Sequence, residues 1–113
     1  MEVKLYDETY KINRIELNRY TADNALAIQL YCIDKDYGFE EPFATLTVCL
    51  ALDKIIKPND NRSFLDTNNC SWGEEFVEKY NLGKPTGFMG ISGFCSYPLY
   101  EWNIEELKKY TEE

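Results

Sequence analysis

The stretch from Ala25 to Leu50, ALAIQLYCIDKDYGFEEPFATLTVCL, decides the fold that the sequence predicts. Residues two apart in its first part share one apolar face: Leu26, Ile28, Leu30 and Cys32. The segment Asp34–Gly38 is typical of a turn, in which a glycine can take a positive φ at little cost. A second alternating run, Phe43–Leu50, follows, so the stretch predicts an antiparallel β-hairpin.

The hairpin also bears on the four cysteines. If each strand turns its more apolar face to the core, Cys32 faces inward and Cys49 faces away, so we expect no disulfide between them. With Cys70 and Cys95, the chain contains no Cys-x-x-Cys pair, the spacing that structural zinc sites usually use. We therefore expect reduced cysteines, no metal and no cofactor.

Shorter strands are predicted on both sides of the hairpin, at Val3–Tyr6 and Ser63–Asp66. The spacing of Lys11–Tyr20 suits either a strand or a helix, because its apolar residues are both two and three apart. We favour a strand there. The polar stretch Lys57–Ser63 predicts a surface loop.

Two helices are predicted in the second half of the chain. Ser71 and Glu74 match a capping box at the start of the first helix, and Gly83 marks its end. Asn103 and Glu106 repeat the cap pattern before a short terminal helix.

A glycine-rich loop over residues 86–96 and a strand over residues 97–102 lie between these helices. Pro98 favours a position at the sheet edge for that strand. The order of elements predicts a single α+β domain over residues 1–113. It would contain an antiparallel sheet of about four to six strands, with two helices packed on one face.

Charge and residue inventory exclude several classes of function. The chain has 113 residues, with 12 Lys and Arg against 20 Asp and Glu, and a net charge of −8. Such a chain is a poor direct ligand for nucleic acid or an anionic membrane, because Lys and Arg supply that affinity. The absence of His excludes Ser-His and Cys-His catalysis. Residues 1–8 lack the apolar segment of a signal peptide, and no apolar run could span a membrane, so we expect a cytoplasmic protein.

The second half of the chain resembles a known family. The element SGFCSYPLY at residues 92–100 is the most specific part, and FATLTV at 43–48 and FLDTNN at 64–69 add to it. Over roughly residues 25–103 the chain resembles small bacterial proteins with a domain of unknown function, carried in conjugative elements and phages. The resemblance implies a mobile-element setting and supplies no enzymatic activity or site residue.

Three segments are candidate chemical sites, and each has a simpler structural explanation. Asp66–Asn69 stands where an ion could bind, but Asp and Asn are also the usual turn and cap formers, which we favour. The segment Gly87–Gly93 lacks the Gly-Lys-Ser/Thr of a phosphate loop. Cys70 lies at a predicted helix start without a base, and Glu74 and Glu75 nearby would raise the pKa of its thiol.

The leading hypothesis is a non-enzymatic accessory protein of a mobile element that binds a protein partner. Its candidate contacts are aromatic and Met side chains of the glycine-rich segment and the last strand: Phe88, Met89, Tyr97, Tyr100 and Trp102. Apolar residues in the glycine-rich segment, Ile91 among them, must either pack inward or form a patch, and inward packing is the commoner outcome. The chain is expected to be a monomer or a homodimer.

The alternative hypothesis is an acidic inhibitor that mimics nucleic acid. Carboxylates cluster at the hairpin tip, on the first helix and near the C-terminus, where Glu112 and Glu113 end the chain. Through Glu74, Glu75 and Glu78, it would occupy the basic groove of a host restriction or CRISPR enzyme. A small enzyme that uses carboxylates and a divalent metal is a third hypothesis, although no paired-acid motif supports it.

Overall fold

The computed structural model of the chain describes residues 1–22, 25–34, 36–50 and 61–111. Within these ranges it contains eight strands and two short helices. They are β1 (Glu2–Leu5), β2 (Glu8–Arg19), β3 (Leu26–Ile33), β4 (Glu40–Thr45), β5 (Thr47–Val48), β6 (Arg62–Leu65), α1 (Gly73–Lys79), β7 (Gly83–Ser92), β8 (Cys95–Trp102) and α2 (Ile104–Lys108).

The strands form two antiparallel sheets of four strands each. The order is β1-β2-β3-β4 in the first sheet and β5-β6-β8-β7 in the second. The α+β prediction is therefore wrong, because the fold is mostly β. Helix α1 has only seven residues and α2 only five, so neither covers a sheet face as predicted.

The first sheet contains the predicted hairpin, although only part of its predicted second strand, Phe43–Leu50, lies in that sheet. β3 pairs antiparallel with β4, and Gly38 in the turn has a φ of 76°. The inward face of β3 is buried at every second residue from Leu26 to Cys32. All of the ambiguous segment Lys11–Tyr20 except its last residue lies in β2, which confirms the strand interpretation. All four cysteines lie in the described ranges, and none is in a disulfide.

The predicted strand Phe43–Leu50 is divided between the two sheets at Leu46. This residue is fully buried. Its N–H donates to the carbonyl of Ile28 at 2.8 Å, and its carbonyl accepts from the N–H of Asp66 at 2.9 Å. Leu46 therefore joins a strand of the first sheet to the end of β6 in the second, which an unbroken alternation of side chains does not reveal.

The second sheet differs most from expectation, because the predicted glycine-rich loop is largely strand β7. β8 therefore lies between β6 and β7 and is not an edge strand as predicted. Pro98 is paired with Met89 of β7, whereas the pairing of β8 with β6 ends at the neighbouring Leu99. No residue of β6 therefore needs the N–H that Pro98 lacks, so the proline is tolerated within the sheet.

The start of α1 also differs from the sequence prediction. Its N-cap is Trp72, and no side chain makes a cap hydrogen bond, so the Ser71–Glu74 capping box does not form. The preceding turn supplies one partner, since the N–H of Gly73, the first residue of α1, donates to the carbonyl of Cys70 at 2.9 Å. In contrast, Asn103 caps α2 as predicted, and its side chain accepts from Glu106 N at 3.2 Å.

Gly83 does not end the helix but begins β7. A Cβ at Gly83 would come within 2.8 Å of the Trp102 ring, so this glycine permits close packing between the strands. The positive φ after the helix, 58°, belongs to Asn81.

The main core draws residues from both sheets and from both helices. Its members include Ile15, Leu30, Leu65, Val77 and Leu107. A smaller second cluster is built on Ala25, Phe64, Tyr97 and Leu99. Among the helices of the described ranges, none has the length and hydropathy needed to cross a membrane. Residues 57–60 of the predicted surface loop, and the terminal Glu112 and Glu113, lie outside the described residues.

Candidate functional site

The β7–β8 hairpin carries a surface without charge. From Pro85 to Tyr100 the sequence contains no Asp, Glu, Lys or Arg, although these make up 28% of the chain. Four large apolar side chains of this hairpin are exposed, at 41%, 49%, 74% and 108% of their full area: Phe88, Met89, Ile91 and Phe94. We call these four residues the hairpin patch.

Local sequence explains why Met89, Ile91 and Phe94 point outward. β7 and β8 are joined by the two-residue turn Gly93–Phe94, in which Gly93 has a φ of 62°, as the first position of a type II′ turn requires. The turn holds Phe94 at the tip of the hairpin. Met89 and Ile91 lie on the same face of β7 because side chains alternate along a strand.

Gly90, between these two residues, faces the second core cluster. A Cβ there would lie 2.6 Å from the ring of Phe64 and 2.7 Å from the side chain of Leu50. The absence of a side chain lets β7 press directly on Phe64, so the hairpin is anchored by its inner face while its outer face stays in water.

A bulge fixes the position of Phe88. The pairing of β7 with β8 shifts between Pro85 and Met89. There the hydroxyl of Thr86 donates to the carbonyl of Leu99 at 3.0 Å and accepts from the N–H of Phe88 at 3.2 Å. The Phe88 ring lies 6.3 Å from that of Phe64, centroid to centroid, so its exposed edge extends from the core cluster.

Three residues of the predicted contact set do not belong to this surface. Tyr97, Tyr100 and Trp102 are buried, because β8 is a central strand. The rings of Tyr100 and Trp102 stack at 5.4 Å, and Trp102 Nε1 donates to the buried Ser63 Oγ at 2.7 Å. These three side chains hold the hairpin in place, and only Phe88 and Met89 of the five are exposed.

Sequence reasoning left Phe94 out of the contact set and favoured inward packing for Ile91. A signal for both was present, because the charge-free run covers them and places a Gly-Phe pair at a turn. The charge-free run does not reveal the order of strands in the sheet, and that order places β7 rather than β8 at the edge.

The predicted acidic residues Glu74, Glu75 and Glu78 are all exposed on α1. The pKa of the Tyr100 phenol is raised mainly by burial and further by the charges of Glu74 and Glu78. Helix α1 lies over the Tyr100 side of the second sheet, because its Phe76 and Val77 belong to the same core cluster as Tyr100. Tyr100 and Pro98 lie on the same face of β8, and Met89 is the partner of Pro98 on β7. The outward side of β7, which carries Met89, is therefore the same side of the sheet.

Asp66 acts as a turn former, as the sequence indicates. Its buried carboxylate accepts hydrogen bonds from Asn69 N at 3.2 Å and from Asn69 Nδ2 at 2.9 Å. Within the described ranges, no group of three or more His, Cys, Asp or Glu side chains could hold a metal ion.

Cys70 is buried and its thiol donates to the carbonyl of Thr45 at 3.6 Å. Burial, and secondly the charge of Asp66, raise the pKa of this thiol from its ordinary 9.0 to about 11. The thiol is therefore protonated at neutral pH. The carboxylate that acts on it is Asp66, not Glu74 or Glu75 as the sequence suggests.

A groove of about 780 Å³ lies in the first sheet, between the start of β1, the first half of β2 and the β3–β4 connection. Its lining includes Tyr10 and Ile12, and its charged members are Glu2, Lys11 and Asp34. Two further exposed aromatics, Tyr37 and Phe39, lie in the β3–β4 connection. The lining residues show no arrangement of nucleophile, acid and base.

Comparison with known proteins identifies one family. A family model described as "Domain of unknown function (DUF4313)" matches residues 14–113. No curated protein and no solved structure matches the chain.

Proposed function

The chain belongs to the DUF4313 family of domains of unknown function, and we propose that it acts without catalysis, by binding a protein partner through the hairpin patch. The observation that carries this proposal is the exposure of four large apolar side chains on a charge-free hairpin. Large exposed apolar patches on soluble chains usually serve interactions. Phe and Met are also among the residues enriched at the centres of protein interfaces.

The sequence resemblance supports the same location. Its most specific element, residues 92–100, forms the end of β7, the turn and most of β8. Under this proposal the family signature maintains the hairpin that carries the patch. The bacterial mobile-element setting and the cytoplasmic location that we expect from the sequence are parts of the proposal.

The test is affinity capture from a bacterial lysate with a tagged chain, followed by mass spectrometry. The variant Ile91→Ser/Phe94→Ser removes two exposed side chains of the hairpin patch without opening the core. The matched control is Tyr37→Ser/Phe39→Ser, which removes two aromatics that are 76% and 70% exposed on the other sheet.

We expect captured protein to fall about tenfold or more with the patch variant, because the loss of one central hot-spot side chain, such as Phe94, costs about 2 kcal/mol. The control should capture as much as the original chain. Equal capture by all three chains at moderate salt would exclude the hairpin patch as the binding surface.

The acidic-inhibitor hypothesis is the second candidate, supported by the exposure of the three α1 carboxylates. Among the described residues, Glu74, Glu75 and Glu78 form no ion pair. Each is therefore available to a basic surface, and such binding would weaken steeply with salt.

This second candidate is tested by charge reversal in an assay of a DNA- or RNA-cleaving enzyme. Changing Glu74, Glu75 and Glu78 to Lys should abolish inhibition. Reversal of three exposed acids elsewhere, Asp7, Asp36 and Glu41, is the matched control for net charge. Inhibition that survives the α1 reversal would reject this candidate.

A further inference from the structure

β7 carries an apolar strip on one face of the second sheet. Pro85 is the partner of Tyr100 on β8, and two residues further along β8 Pro98 is the partner of Met89. Antiparallel partners share a face of a sheet, as do residues two apart on a strand, so these side chains all lie on the Tyr100 face. Ile91 follows Met89 on the same face. We call Pro85, Met89 and Ile91, which are all exposed, the β7 strip.

Helix α1 borders this strip with two carboxylates. The pKa of the Tyr100 phenol is raised first by burial and then by the charges of Glu74 and Glu78, so both carboxylates lie near this ring. Glu75 and Lys79, on the other flank of the helix, line a separate groove beside β1. Since α1 also packs against β7, Glu74 and Glu78 stand on the flank that is turned toward the β7 strip.

The described cations closest in sequence to this surface lie elsewhere. Lys79 lines the groove beside β1. Lys84 is the neighbour of Pro85 in β7, so its side chain lies on the opposite face of the sheet. Within the described ranges, Glu74 and Glu78 form no ion pair. The β7 strip and these two carboxylates therefore make one surface that is apolar along β7 and acidic along α1.

We propose that the partner of the hairpin patch is a basic protein, which docks on this surface an apolar segment bordered by Lys or Arg. The apolar segment covers Met89 and Ile91, and its basic side chains meet Glu74 and Glu78. Charge complementarity selects this occupant, because an acidic partner or a second copy of a chain with net charge −8 would place like charges together. This inference rests on the proposed function, because it gives the chemical class of the partner.

Two synthetic peptides of equal length test this class. Both are fluorescein-labelled amphipathic helices with Leu on one face, and the other face carries Lys in one peptide and Glu in the other. Fluorescence anisotropy measures their binding to the chain at low and at moderate salt. We expect the Lys peptide to bind at least about tenfold more tightly than the Glu peptide, and moderate salt to weaken it.

Two variants locate the binding. Met89→Ser/Ile91→Ser removes the exposed apolar centre, and Glu74→Lys/Glu78→Lys reverses the two charges beside it. Each should weaken binding of the Lys peptide by at least about tenfold, because one loses the apolar contact and the other replaces attraction by repulsion. All four side chains are exposed, so both variants should fold as the original chain does, which circular dichroism checks.

The matched control for charge is Asp36→Lys/Glu75→Lys. It reverses two exposed carboxylates, one in the β3–β4 connection and one on the other flank of α1. Its net charge equals that of Glu74→Lys/Glu78→Lys. We expect it to weaken binding of the Lys peptide by less than about threefold, because only the long-range attraction changes.

A Lys peptide that does not bind, or that binds no better than the Glu peptide, would overturn the inference. So would binding that survives either located variant, or an equal loss for the control. The proposed function is judged separately by affinity capture. A captured protein that falls with Ile91→Ser/Phe94→Ser but not with Glu74→Lys/Glu78→Lys rejects the basic partner and leaves the proposed function standing. Capture that falls with neither rejects both.

Discussion

Gly90 and Cys70 show how single positions control the second sheet. Gly90 has no side chain, and β7 uses that space to contact Phe64 and Leu50. Cys70 fills a buried site between β6 and α1, where burial holds its thiol in the neutral form. Both residues thus act through packing and desolvation.

Gly90→Ala should destabilise the chain by about 1–3 kcal/mol, because its methyl group would overlap the ring of the buried Phe64. Gly73→Ala is the control, since a Cβ there would meet Cys70 and Leu65 at 3.4 Å. Urea unfolding should show a change of less than about 0.5 kcal/mol for the control. Equal stability of the two variants would contradict the close approach of β7.

Cys70 should make stability fall at alkaline pH. Its pKa is about 11 in the folded chain against an ordinary value of 9.0. The contribution of this thiol to the free energy of unfolding is therefore fully present below pH 9 and is lost as the pH rises from 9 to 11. Urea midpoints across this window should fall less for Cys70→Ala than for the original chain.

We expect the four cysteine thiols to differ in reactivity. Cys32 and Cys70 are buried, whereas Cys49 and Cys95 are partly exposed. A thiol reagent at pH 8 should label the latter pair first, as peptide mass spectrometry would show. Fast labelling of Cys70 would contradict the burial described above.

At the scale of elements, local signals work where neighbours in sequence decide the structure. The Asn103 cap, the Gly38 turn and the alternation of β3 were all predictable for this reason. β7 was not, because Pro85, Gly87 and Gly90 suggest a loop by composition. In the structure these residues serve a bulge and a close approach to Phe64, and both depend on distant parts of the chain.

The two predicted helix caps give a direct comparison. Asn103→Ala should cost about 1 kcal/mol, because its side chain accepts from Glu106 N. Ser71→Ala should change stability by less than about 0.5 kcal/mol, because no side chain caps α1. Thermal unfolding of both variants measures the difference. A loss of stability for Ser71→Ala as large as that for Asn103→Ala would support the capping box that the sequence predicts.

At the scale of the whole molecule, the two sheets share one core. The exposure of the candidate site was only half predictable, because the choice of outermost strand depends on which strands pair across the sheet. The glycine-rich composition around Phe88 and Met89 indicated these two residues, but no local signal gave a reason to bury Tyr97, Tyr100 and Trp102. The division of the predicted strand Phe43–Leu50 at Leu46 was not predictable either, because it too depends on which strands pair.

A shared core predicts a single unfolding transition. Leu30 lies in the first sheet and Leu65 in the second, and both are fully buried in the same cluster. Leu30→Ala and Leu65→Ala should each cost about 2–5 kcal/mol. Far-ultraviolet circular dichroism and Trp fluorescence should give coincident midpoints for each variant, whereas two separated transitions would show that the sheets unfold independently.

The passage of the chain from one sheet into the other at Leu46 has a consequence for the order of folding. The first sheet joins strands that follow one another in sequence, and β7 and β8 form a hairpin across two residues. Such local pairings close small loops and form early. β6 must instead meet β8 across α1 and β7, and Leu46 must bond to both Ile28 and Asp66. We therefore expect the rate-limiting step to be the docking of two preformed β units around Leu46, so that Leu46→Ala slows folding more than it speeds unfolding.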